Sequence, residues 1–208
     1  MNKMSRAEQW RAEFGRHKYL IILSFVFLAA SLVLNYVAGD FVNEAITTPV
    51  PDMILGHIPT INLSFIFLYG YAAVIGVLLL YPLFYKVHEF HIALSQFSLL
   101  ILVRSFFIIL THLGAPPGAI LPNMPRLYNL LIFQNDLFFS AHTAVPFLGY
   151  LLYRKEKIGK FFLGATIVLA ATVLLMHVHY SIDVFAALFI AFGSYKFGEW
   201  FFRRINYY

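Results

Sequence analysis

Six long apolar blocks, separated by turn-rich or charged stretches, organise this chain. They predict helices near 19–38, 61–84, 92–113, 137–153, 160–178 and 181–202. The hydrocarbon core of a bilayer is about 30 Å thick, and a helix rising about 1.5 Å per residue needs roughly 20 mostly apolar residues to cross it. Each block therefore predicts a span, and the expected fold class is an all-α polytopic membrane protein with six transmembrane helices. The fourth block is the weakest. It is short, and Pro146 within it predicts a kink, because proline cannot donate to the carbonyl four residues earlier. Proline and glycine recur through 47–59 and 114–125, which predicts connections there instead of helix. The domain division expected is a charged, helical N-terminal segment at 1–18, then one six-span domain at 19–208. The first apolar run exceeds the hydrophobic region of a signal peptide and lacks a small-x-small cleavage pattern, so it reads as an uncleaved span.

Composition agrees. With 61% hydrophobic and 12% charged residues, and a mean hydropathy of +0.75, the chain has too little polar surface to coat a soluble globule. The absence of cysteine excludes disulfides, thiolate catalysis and Cys-ligated metal sites. The net charge of +5 is modest, and the basic residues flank apolar blocks, which favours a membrane as partner and speaks against nucleic acid. Thirteen Lys and Arg residues fall at the N-terminus, the 2–3 and 4–5 connections and the C-terminus. Arg126 alone falls on the opposite side, and Arg104 lies within the third block. The positive-inside rule then predicts both termini in the cytoplasm, with the 1–2, 3–4 and 5–6 connections on the extracytoplasmic face.

Four polar segments converge on that outer face by the parity of a six-span chain: Pro49 to Asp52, Arg104 to His112, Asn135 to Thr143, and His177 to Asp183. His179 and Asp183 are four residues apart, a spacing that on a helix puts both side chains on one face. A carboxylate accepting from one imidazole nitrogen fixes the tautomer and leaves the other lone pair free to attack phosphorus or take a proton. His142 could protonate the leaving oxygen and deprotonate the incoming one. Arg104 and the backbone N–H groups opening the fourth block suit phosphoryl oxygens. Blander readings compete. A His–Asp pair also serves proton relays in transporters, and Arg104 could snorkel or bridge helices. His177, His112 and His57 read as interfacial polar residues, and the 23 Phe and 13 Tyr as lipid-facing composition. His177, His179 and Asp183 make a poor metal set, because helical residues two apart point to different faces. No metal or other cofactor is expected.

The order of these motifs resembles the sphingomyelin synthases, a branch of the type 2 phosphatidic acid phosphatase superfamily. Ser140-Ala141-His142-Thr143, preceded by Asp136, is similar to that family's S-G-H-T, with Ala141 in place of glycine. His179-Tyr180-Ser181-Ile182-Asp183 is similar to its H-Y-[ST]-x-D, and His177 matches an additional upstream histidine. Val178 stands where the family often has an acidic residue. The Ser-Arg pair of ordinary lipid phosphatases is replaced by Thr172-Val173, and their Lys-x6-Arg-Pro element is missing, which favours the synthase branch. The resemblance implies His179 as nucleophile, Asp183 as its orienting partner and His142 as general acid and base. Arg104, Asp136, Ser140, His177 and Tyr180 are the expected phosphate or head-group residues. The partners implied are a phospholipid donor, carrying phosphocholine or phosphoethanolamine, and ceramide or another lipid alcohol as acceptor. Water in place of the alcohol would make the same site a phosphatase or phospholipase C-like hydrolase.

Overall fold

The computed structural model describes residues 5–44, 48–111, 113–122 and 137–205. They are all-helical: α1 (Arg6–Glu44), α2 (Tyr71–Tyr85), α3 (Phe90–Ile109), α4 (Ala141–Tyr153), α5 (Lys157–Leu175) and α6 (Ser181–Arg204). A π-helical turn at Ile66–Gly70 leads into α2, and short 3-10 turns stand at Leu55–His57 and Val87–Glu89. No strand occurs among the described residues; Thr48 and Leu113 form an isolated bridge.

The pattern of burial is that of a chain whose solvent is lipid. Large apolar side chains point outward, Phe189 at 78% exposure and Ile167 at 65%, while Ser24, Ser31, Asn35, Gln96 and Ser98 are buried. Several buried hydroxyls are satisfied by their own helix: Ser24 Oγ–H donates to Ile21 O at 2.7 Å and Ser98 Oγ–H to Leu94 O at 2.8 Å. Five helical stretches are long and apolar enough to cross a membrane: 6–44, 66–85, 87–109, 157–175 and 181–204. The fourth expected span differs. Helix α4 has 13 residues, about 20 Å at 1.5 Å each, and nine of them are buried. It is the inner helix against which α5, α6 and α2 pack, and α1 lies along α3. Gly149 permits the close α4–α5 approach, since a Cβ there would collide with the Phe162 ring. Helix α4 runs unbroken through Pro146. The proline still removes the donor that would have met the His142 carbonyl.

Helix α1 continues through the expected 18/19 boundary, with one non-helical residue at His17 (φ −126°, ψ 23°). Around this end the helices are tied by Trp10 Nε1–H to Leu83 O at 3.1 Å and by Lys86 to Glu156 at 2.8 Å. At the opposite end, the 1–2 and 3–4 connections stop the open carbonyls of α5. Ile61 N–H donates to Leu175 O at 2.7 Å and Ile120 N–H to Met176 O at 2.9 Å. The α5–α6 turn is a Schellman motif. Val178 N–H reaches Val173 O, His177 N–H reaches Leu174 O, and His177 takes the left-handed position (φ +54°) that glycine usually fills.

Candidate active site

The site forms where the α5–α6 turn meets the start of α4. Asp183 is fully buried, and its Oδ2 accepts from His179 Nδ1–H at 3.1 Å and from Tyr180 N–H at 2.9 Å. The expected reason for the His179–Asp183 pairing needs correction. His179 precedes α6, and Tyr180 is its N-cap. The carboxylate of the third helical residue reaches back to the cap, as in one limb of a capping box, and the same oxygen meets the imidazole. One side chain thus starts the helix and sets the His179 tautomer, leaving Nε2 with its lone pair.

His142 lies on the first turn of α4, sandwiched between Phe67 and Tyr71 with ring centroids 3.9 and 4.1 Å away. Its Nε2–H donates to Phe67 O at 3.3 Å. Phe67 belongs to the π-helical turn, a geometry that departs from the i→i+4 ladder and recurs at functional sites. His142 lies within electrostatic range of His179 and Arg104, and Arg104 is likewise an electrostatic neighbour of Tyr71. Arg104 is 5% exposed, and its Nη1–H donates to Asn35 Oδ1 at 2.7 Å, which joins α3 to α1.

Ser140 N–H points to Asp183 O at 3.4 Å, a direct link between the start of α4 and the start of α6. Among the described residues, Ser140 Oγ, Thr143 Oγ1, His177 Nε2 and Asp183 Oδ1 are buried without hydrogen-bond partners. Such groups are costly to bury unless something meets them. His177 lines an adjoining cavity of about 350 Å³ together with Asp52, Gly56, Pro116, Pro117 and Tyr180; His142 and His179 stand outside its lining. His177 Nδ1 is 3.4 Å from Pro117 O.

The Tyr180 phenol is engaged by the two outer connections. Its O–H donates to Gly114 O at 2.7 Å and accepts from Val50 N–H at 3.0 Å, so it bolts both outer connections to the head of α6. Asp52, absent from the expected site residues, has a matching role. Its Oδ2 accepts from Ser181 N–H at 2.7 Å, and its Oδ1 accepts from Ile54 and Leu55 N–H at 2.8 and 3.0 Å. Burial pushes the Asp52 carboxyl up, but these N–H donors outweigh it and hold the group below the usual carboxylate range. The local Asp-to-N–H turn was readable from Asp52-Met53-Ile54; the long reach to Ser181 was not. Asp136 and His112 lie outside the described residues.

Comparisons of the chain with protein-family models, curated proteins and solved structures found no match.

Proposed function

We propose that this protein is a membrane lipid phosphotransferase that moves a phosphorylated head group from a glycerophospholipid to ceramide or another lipid alcohol. The observation that carries the reading is the His179 Nδ1–Asp183 Oδ2 hydrogen bond, which leaves Nε2 as a tautomerically defined nucleophile beside a second buried histidine. In the first step His179 Nε2 attacks phosphorus and the P–O bond to the diacylglycerol oxygen breaks. His142, with one proton held by the Phe67 carbonyl, delivers a second from Nδ1 to that oxygen. In the second step His142 takes the proton of the acceptor hydroxyl, whose oxygen attacks phosphorus as the P–N bond breaks and His179 is restored. Asp183 offsets the positive charge on His179 while the bond to phosphorus exists. Arg104, Ser140 Oγ and the first N–H groups of α4 offset charge on the phosphoryl oxygens.

The motif order that resembles the sphingomyelin synthases supports the same assignment. We place the site on the extracytoplasmic face, with α4 completing a sixth crossing and both termini cytoplasmic; the thirteen-to-one distribution of basic residues supports this orientation. The test supplies purified protein in vesicles with head-group-labelled phospholipid, with and without ceramide. Ceramide-dependent transfer, and acid-labile label on the protein that His179→Ala removes, are expected. Label appearing only as free phosphate or phosphocholine would identify a hydrolase, and no phosphorus chemistry at all would sink both.

A further inference from the structure

At the end of the bundle away from His142 and His179, Glu13, His17 and His91 bring one potential ligand atom each to within 4.8 Å of one another. Glu13 and His91 are buried, at 6% and 1% exposure, and His17 closes the outer side with its side chain 25% exposed. We propose that these residues bind a first-row divalent transition metal, Zn2+ in the first instance, which fastens the N-terminal segment of α1 to the start of α3. The inference is independent of the phosphotransferase reading.

Three observations point there. The donor spacing fits: a tetrahedral ion with N and O ligands at about 2.0–2.1 Å sets neighbouring donors about 3.3 Å apart. Glu13 Oε1 lies 2.8 Å from His17 Nδ1 and 3.6 Å from His91 Nδ1, on either side of that value. The donor set is also of the right kind. Two imidazoles and a carboxylate suit zinc and its neighbours, where an all-oxygen set would suit magnesium or calcium. Finally, α1 leaves helical geometry at one ligand position and nowhere else along its 39 residues. That distortion sits where the His17 ring comes to 5.4 Å from the His91 ring across the helix pair. A Glu13–His17 ion pair at i,i+4 accounts for two of these residues. The enclosed His91 ring is directed at the same carboxylate oxygen, 3.6 Å away. Three protein ligands leave one position for water or an outside donor.

The full-length protein, purified in detergent and stripped with a chelator, is titrated with Zn2+ by calorimetry and with Co2+ by visible absorption. One ion per chain is expected, with the Co2+ spectrum of a low-coordinate N/O site. Even an outer-shell partner is worth 10–100-fold in metal affinity, so His17→Ala and Glu13→Gln should each weaken binding by at least about 100-fold. His179→Ala should leave it unchanged. His17 is the partly exposed member, so its variant keeps the buried packing and decides the matter if Glu13→Gln misfolds. Wild-type protein that takes up no Zn2+, a His17→Ala variant that binds as tightly as wild type, or loss confined to His179→Ala would each overturn the proposal.

Discussion

Replacing Tyr180 by Phe removes one oxygen and leaves the ring in place, so its effect can be worked out from two hydrogen bonds. Val50 N–H loses its acceptor at 3.0 Å, and Gly114 C=O loses its donor at 2.7 Å. Val50 is 40% exposed, so water can replace the phenol there, and the loss is that of an ordinary hydrogen bond, about 0.5–1.5 kcal/mol. Gly114 is buried, so its carbonyl is stranded at a cost of about 1–3 kcal/mol. Together these give about 1.5–4.5 kcal/mol, or roughly 10- to 2,000-fold in the local opening equilibrium of the two outer connections. Hydrogen exchange of the detergent-solubilised protein reads this directly. Peptides covering 48–58 and 113–122 should lose protection by that factor, including the Gly114 amide that donates to Thr48 O. Peptides within α5 should keep theirs. Unchanged protection in both connections would refute the bolt. If turnover then fell through KM alone, Tyr180 would be a head-group residue after all.

Three further outcomes follow from the same geometry. Asp183→Asn should slow labelled head-group transfer by roughly 10- to 150-fold, the worth of a charge-assisted hydrogen bond of about 1.5–3 kcal/mol; initial rates in vesicles measure it. The Asp52 carboxyl titrates below its unfolded value, so its contribution is fully present above about pH 4 and is lost as pH falls through the lower folded value. Thermal midpoints between pH 6 and pH 3 should show that acid loss in the wild type and less of it in Asp52→Asn. Gly149→Val should lower stability by about 1–3 kcal/mol, because its side chain must displace the buried Phe162 ring between α4 and α5. Unfolding followed in detergent checks this, and an unaltered midpoint would mean that α4 and α5 do not approach so closely.

The helical architecture was legible because lipid imposes a coarse constraint: a long apolar run must satisfy its backbone internally, and only a helix does so within one segment. Helix limits were less so. The apolar block at 92–113 continues past Ile109, where α3 ends, because hydropathy does not mark where a chain turns. The second block begins at Ile61, but helix begins at Ser64, after a segment whose Ile61 N–H is engaged by α5. The sequence expectation that the start of the fourth block meets the α5–α6 turn has a counterpart in the Ser140 N–H to Asp183 O contact. The geometry of the site was not legible. The spacing of His179 and Asp183 suggested a helical stack, whereas the contact is a helix cap. The Phe67 carbonyl that holds His142 is a backbone atom 75 residues away, and no residue type announces it. Glu13, His17 and His91 were hidden for a similar reason, two being on one charged helix and the third on another.

The π-helical turn before α2 has an evolutionary corollary. Its wide ring accommodates one residue more than ordinary winding would, so the carbonyl aimed at His142 depends on how many residues lie between Ile66 and Gly70 more than on which ones they are. Phe67 is held by its stacking on His142, but an exposed neighbour such as Tyr69 can drift while lipophilicity is kept. Losing a single codon there would rotate the preceding segment by about 100°, swinging the acceptor away from the imidazole without touching either histidine.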